Sequence, residues 1–319
     1  MKTVKILLGA ICVCMSSWAF SQTSWPSRPI KLIVPYPPGG PVDQLARTVA
    51  PKLGEILGQA VMIDNKAGAS GTIGLDAAIK AEPDGYTFGF GVPGGITVLP
   101  HLQKLPYTLE EINYVSLIAK VPQVITVGPK VPVNNLQELI ALAKKEPGKL
   151  NYASAGNATT PHLGSELLAQ ETGIKMMHIA YKGAVPAVTA LLAGEVQVLS
   201  ADLPAVLQFV SKGVKILAVS GSKRVEALPN VPTTAELGFP SVFVESNYGM
   251  VASNGTPAAI TQKMREALTL TLNTPAIKTQ IANQGAIATS SSAEEYKKLM
   301  QQESMKWALV LKKGQITLE

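Results

Sequence analysis

Short apolar runs alternate with longer amphipathic stretches from about residue 30 to the end of the chain. A short apolar run flanked by turn residues reads as a buried strand, and apolar residues three and four apart read as one face of a helix. Alternation of the two demands crossover connections, so the expected fold is α/β with largely parallel sheets. The spacing predicts strands at Ile30–Val34, Val61–Asp64 and Tyr86–Phe90, with helices at Val42–Leu57 and Ile73–Ala81 between them. Tyr114–Val127 is long, apolar and rich in β-formers, interrupted by Pro122.

The second half repeats the pattern. Helices are expected at Leu136–Lys145, Pro161–Thr172, Pro186–Ala193 and Pro204–Lys212. Strands are expected at Leu150–Ala153, Met177–Ala180, Val196–Leu199 and Lys215–Ser220. After a Pro-rich connection, Val242–Val251 returns as a strand and three helices close the chain. No Gly/Pro/Ser-rich linker separates two independent units. Two long apolar crossings instead predict two interleaved lobes, residues 23–122 plus 244–319 and residues 123–243, with a ligand cleft between them.

Residues 1–21 have the form of a secretory signal peptide. Lys2 and Lys5 precede an apolar stretch from Ile6 to Met15, too short to span a bilayer, and Ala19-Phe20-Ser21 suits cleavage before Gln22. Ile11 and Val13 precede Cys12 and Cys14, where a lipoprotein signal wants a small residue. Both cysteines fall in this leader, so the mature chain is expected to be periplasmic and to use no disulfide and no thiolate. Loss of Lys2 and Lys5 takes 28 Lys and Arg to 26 against 22 Asp and Glu, a net charge of +4. The lysines form isolated pairs with no basic stripe, which excludes a nucleic-acid track. A mild positive excess is compatible with steering an anion inward.

Three loops at expected strand ends share a backbone-rich character. Tyr36-Pro37-Pro38-Gly39-Gly40 follows the first strand and runs into a helix carrying Asp43. Gly91, Gly94 and Gly95 follow the third strand, and Ala155-Gly156-Asn157 follows a strand in the second half. Thr159 and Thr160 then stand as caps of a helix with Pro161 in its first turn. Glycine admits close approach of backbone to a ligand, and helix N-termini offer N–H groups to an anion. In open α/β sheets this strand edge is where ligands bind. Each loop is equally readable as a tight turn; their shared position is the argument for a cleft.

Catalytic signatures are weak. Gly89-Phe90-Gly91-Val92-Pro93-Gly94 has the G-x-G-x-x-G spacing, but Pro93 and Pro100 oppose the helix a dinucleotide site needs. There is no Walker loop and no G-x-S-x-G elbow. His101, His162 and His178 lack metal-ligand spacing, so neither metal nor cofactor is expected; His162 reads as structural or as a ligand contact.

The ordered motifs resemble the Bug family, the extracytoplasmic receptors of tripartite tricarboxylate transporters. They are Trp25-Pro26-Ser27-Arg28-Pro29-Ile30, Pro37-Pro38-Gly39-Gly40 with Asp43, Asn65 to Gly71, and Pro83-Asp84-Gly85-Tyr86-Thr87. Leu150 to Asn157 with Thr160-Pro161-His162-Leu163, Tyr181-Lys182-Gly183, Leu228 to Thr233 and Gly255-Thr256-Pro257 complete the series. The resemblance implies a type II periplasmic binding-protein fold with no enzymatic activity. It also implies a small carboxylate ligand, an inner-membrane permease as partner and a monomeric receptor. The ligand is then held by the loops matching Tyr36 to Asp43, Gly91 to Gly95 and Ala155 to Thr160, with Tyr181 nearby. A sensory partner in place of a permease would need the same clamp.

The chain departs from the family's pattern at three places. Ala158 replaces a usual glycine, which is expected to crowd its loop. Asn247-Tyr248-Gly249 stands where a Trp is frequent, and Ala201-Asp202 precedes Leu203-Pro204 where Asp-Asn or Asp-Ser is frequent. Asn247 and Asp202 are therefore expected to bear on ligand choice. Asp202 has two readings: an N-cap for the helix begun by Leu203-Pro204, or a charge that turns away di- and tricarboxylates.

Overall fold

The computed structural model describes residues 25–318, so the leader expected at residues 1–21 lies outside the described residues. Strand β1 (Ile30–Val34) leads through the Pro35–Gly40 turn into helix α1 (Pro41–Leu57), then β2 (Val61–Asn65), α2 (Thr72–Ile79) and β3 (Thr87–Gly91). Leu45, Val49 and Leu53 of α1 are completely buried, as their spacing requires. Gly94 opens an irregular π turn, Gly94–Val98, in place of the α-helix that a dinucleotide fingerprint would demand.

Strand β4 (Ile112–Val127) is unbroken through Pro122. It pairs antiparallel with β9 from Ile112 to Pro122, then with β7 from Gln123 to Val127 on one edge and with β8 on the other. The break expected at Pro122 is thus a change of partners within one strand.

Beyond β4 come α3 (Leu136–Lys145), β5 (Asn151–Ser154), α4 (Thr160–Thr172), β6 (Met177–Ala180), α5 (Ala184–Ala193) and β7 (Val198–Asp202). The helix expected at Pro204–Lys212 keeps α geometry only over α6 (Leu203–Val206), with a 3₁₀ stretch to Lys212 before β8 (Lys215–Val219). The returning strand β9 spans Glu245–Ser253 and is followed by α7 (Ala258–Asn273), α8 (Pro275–Asn283), β10 (Ile287–Ala288) and α9 (Ala293–Gly314).

The strands run β2-β1-β3-β9-β4-β7-β5-β6, with β8 and β10 attached to β4. Pairing is parallel on the flanks and antiparallel around β4 and β9. The chain therefore builds one lobe, crosses on β4, builds the second and returns on β9 to finish the first. Each lobe has a core on each sheet face. Phe88, Phe90 and Met250 pack beneath α1 and α7, and Ile125, Tyr152 and Val198 beneath α3. A further cluster joins the end of α9 to the second lobe. Its Trp307, Val310 and Leu311 pack with Ala158, Leu163 and Leu167.

Candidate functional site

A narrow apolar cavity of about 50 Å³ lies between the carboxyl ends of the strands. Three helices begin at its wall: α1 with Gly40, Pro41 and Val42, α4 with Thr159, Thr160 and Pro161, and α5 with Gly183, Ala184, Val185 and Pro186. None of the three has a side-chain cap. Helices α3 and α9 are capped by Asn135 and Ser292, whereas α2, α6, α7 and α8 lack a side-chain cap as well, so it is the meeting of three starts at one cavity that sets α1, α4 and α5 apart. The expectation that Thr159 and Thr160 cap α4 is corrected here: Thr159 Oγ1 instead donates to the Gly156 carbonyl at 2.7 Å. Helix starts left to other partners carry partial positive charge and free N–H groups, which suit an anion.

Of the residues singled out by sequence, Tyr36, Pro38, Gly40, Gly94, Ala155, Thr159, Thr160 and Asp202 line this cavity. Gly156, Asn157 and Tyr181 line a wider outer space of about 600 Å³ that shares Tyr36, Pro37, Ala155 and Gly183 with it. The sides of the mouth nearly touch. A Cβ on Gly94 would stand 3.0 Å from the Ala158 carbonyl, and Ser70 Oγ donates to the Asn157 carbonyl at 2.7 Å.

Four expected residues line neither space. Gly39 and Asp43 shape the first loop: Asp43 accepts hydrogen bonds from Gly39 N–H at 2.9 Å, Arg47 Nε at 2.8 Å and Asn65 Nδ2 at 2.9 Å. Burial acts to raise the Asp43 carboxyl, but these bonds hold it below the ordinary carboxylate range. Gly91 admits the ring of Tyr296, whose hydroxyl a Cβ there would meet at 2.4 Å. Asn247 lies on the face of β9 opposite Ser246 and Tyr248, because strand neighbours alternate. Its Oδ1 is buried without a partner among the described residues.

The crowding expected at Ala158 takes the form of a left-handed backbone, φ 58°, at a completely buried residue. His162 faces away from the cavity: its Nδ1 accepts from the Ala158 N–H at 3.1 Å, and its ring stacks on His178.

At the inner end stands Asp202, the last residue of β7, 4 % exposed. Its side chain makes no cap bond to α6, so the cap reading fails. Asp202 Oδ1 accepts from Ser246 Oγ at 2.7 Å and Gln123 Nε2 at 3.4 Å, and Oδ2 accepts from Tyr248 Oη. Burial raises the Asp202 carboxyl against the pull of these donors. Burial first, and the Asp202 charge second, push the Tyr36 and Tyr248 phenols above their usual value. Gln123 also accepts from Ser200 Oγ at 3.0 Å. Sequence reasoning missed this network and the start of α5. Gly183 at the N-cap with Pro186 in the first turn is a start signal looser than that of α1, where Pro41 follows Gly40 directly, and it would have pointed to the latter.

Known proteins resemble this chain over nearly its whole length. BugT of Bordetella pertussis is 35% identical over 299 residues, covering 92% of this chain and 91% of its own. A protein of R. palustris solved with adipate superposes with a TM-score of 0.89 at 32% identity, covering 92% of this chain and 99% of its own. MatC from Rhodopseudomonas palustris, solved with bound malate, gives 0.85 at 27% identity, covering 90% and 100%. The sequence profile of the tripartite tricarboxylate transporter family receptor matches residues 45–316, and the chain belongs to that family.

Proposed function

We propose that this chain is a periplasmic receptor that captures a small carboxylate in the cleft and hands it to an inner-membrane permease as a monomer. One observation carries the reading: three uncapped helix starts, α1, α4 and α5, meet at one cavity whose lining contains no Lys, Arg or His. Main-chain N–H groups and helix dipoles would then hold the carboxylate, as the relatives solved with adipate and malate encourage us to expect. The ligand-contacting set is proposed as Tyr36, Pro38, Gly40, Gly94, Ala155, Thr159, Thr160 and the start of α5, with Gly156, Asn157 and Tyr181 at the mouth.

The lobe boundaries proposed are residues 123 and 243, where β4 exchanges β9 for β7 and where the chain approaches β9. Export is proposed to remove residues 1–21, which intact-mass measurement of the periplasmic protein would check. Thermal-shift screening against mono-, di- and tricarboxylates tests the receptor reading. A ligand at 100 times its Kd stabilises by about 2.7 kcal/mol. If no carboxylate raises the Tm while an uncharged or cationic solute does, the reading is wrong.

A further inference from the structure

The inner end of the cleft is acidic, and that restricts the ligand. Asp202 lines the cavity at the end of β7 and is the only acidic or basic side chain among its described lining residues. A carboxylate has about four acceptor positions. Gln123 and Ser246 fill two on Oδ1, and Tyr248 fills one on Oδ2. All three donors are neutral, so no cationic side chain bonds Asp202. Among the described residues no donor takes the fourth position, on Oδ2. The intervening walls are apolar, with Pro38, Val42, Val185 and Val188 among them.

We infer that the cleft selects a monocarboxylate with a short apolar body and a hydrogen-bond donor, ammonium or hydroxyl, at its far end, and that Asp202 is the residue that selects it. This rests on the carboxylate-receptor reading, and it sets this chain apart from a receptor for dianions. One carboxylate of the ligand sits at the helix starts. A second would meet Asp202 with no cation between them, in a site where water does little to screen the repulsion. A donor there meets an acceptor already held in place by Gln123, Ser246 and Tyr248. Discrimination of this kind comes as much from repelling the wrong end group as from binding the right one.

The test uses matched pairs differing only at the far end. These are adipate, 6-aminohexanoate and 6-hydroxyhexanoate at one length, and succinate, 4-aminobutyrate and 4-hydroxybutyrate at a shorter one. Hexanoate and hexylamine serve as controls, and titration calorimetry at pH 7.5 gives the Kd values. The amino or hydroxy acid of one length should bind at least tenfold tighter than the matching diacid, and hexylamine should not bind. The amino and hydroxy arms tell an ammonium from a hydroxyl donor. In Asp202→Asn the preference should shrink at least tenfold, because the amide keeps an acceptor, loses the charge and gains a donor. The ranking in the unmodified protein stands as a test even if that variant does not fold. Diacids binding tighter than their partners at both lengths would overturn the inference and leave the carboxylate reading intact. Failure of every carboxylate, or equal binding of hexylamine, would overturn both.

Discussion

The imidazoles of His162 and His178 lie parallel, with ring centroids 3.9 Å apart and planes 7° from each other. The Tyr152 ring stacks against both, 4.8 Å from His178 and 6.3 Å from His162. Burial, with the neighbouring His178 second, takes the His162 pKa down to about 3, and burial takes His178 down to about 4. Both rings are neutral in the folded protein where they would be protonated in the unfolded chain. Their contribution is therefore complete above about pH 6.5 and is lost as pH falls toward 4, at up to about 1.4 kcal/mol per pH unit for each ring. Urea unfolding from pH 7.5 to 4.5 should show this slope. In His162→Gln the amide oxygen can still accept from Ala158 N–H but does not titrate, so the slope should be shallower. Parallel profiles for the two proteins would count against the stacked pair as the source.

Ser70 Oγ bonds the Asn157 carbonyl across the mouth, joining the segment before α2 to the loop before α4. Ser70→Ala should release the ligand faster and weaken binding by up to about tenfold, the worth of one hydrogen bond. The Tm without ligand should hardly move. Stopped-flow release kinetics would show it, and an unchanged off-rate would mean the contact plays no part in closure.

A methyl group on Gly94 would stand 3.0 Å from the Ala158 carbonyl, tighter than ordinary contact, so one side of the cleft must give way. Gly94→Ala should hold the two sides of the cleft apart while leaving both cores untouched. The expected result is a Kd raised at least tenfold with a stability change under about 1 kcal/mol. Small-angle scattering should show a smaller ligand-induced contraction in the variant than in the parent. Equal contraction in the two would contradict this.

Trp307 is completely buried where α9 meets α4, and its indole N–H has no partner among the described residues. Trp307→Ala should cost about 3–5 kcal/mol, as removal of a large core side chain does. Trp307→Phe keeps an aromatic ring and gives up only an unsatisfied donor, so it should cost under about 1.5 kcal/mol. Urea midpoints at constant m-value would separate the two, and similar losses would point to an unseen partner for the indole.

The alternation of short apolar runs and amphipathic stretches carried the fold, because burial of β1, β3 and α1 is written into their own periodicity. The glycine- and proline-marked loops carried the first and third helix-start loops of the cleft for the same reason: φ restrictions and free N–H groups are local properties. What stayed hidden is long-range. Asp202-Leu203-Pro204 is a sound local cap signal, but Gln123, Ser246 and Tyr248 arrive from the two crossing strands and take the carboxylate away. Asn247 was placed at the cleft by its neighbourhood, whereas its side depends on how β9 pairs with β4, whose register shifts twice.

The cleft wall offers main-chain groups at the starts of α1, α4 and α5, while side chains such as Asp202, Val185 and Val188 shape the rest. Codon changes alter side chains and leave amides where they are. With those amides holding the carboxylate, as proposed, a single mutation can revise which solute is preferred without erasing that capacity. A duplicated gene of this kind can diversify its diet through intermediates that all still capture something, which is the condition under which a lineage accumulates many receptors from one ancestor.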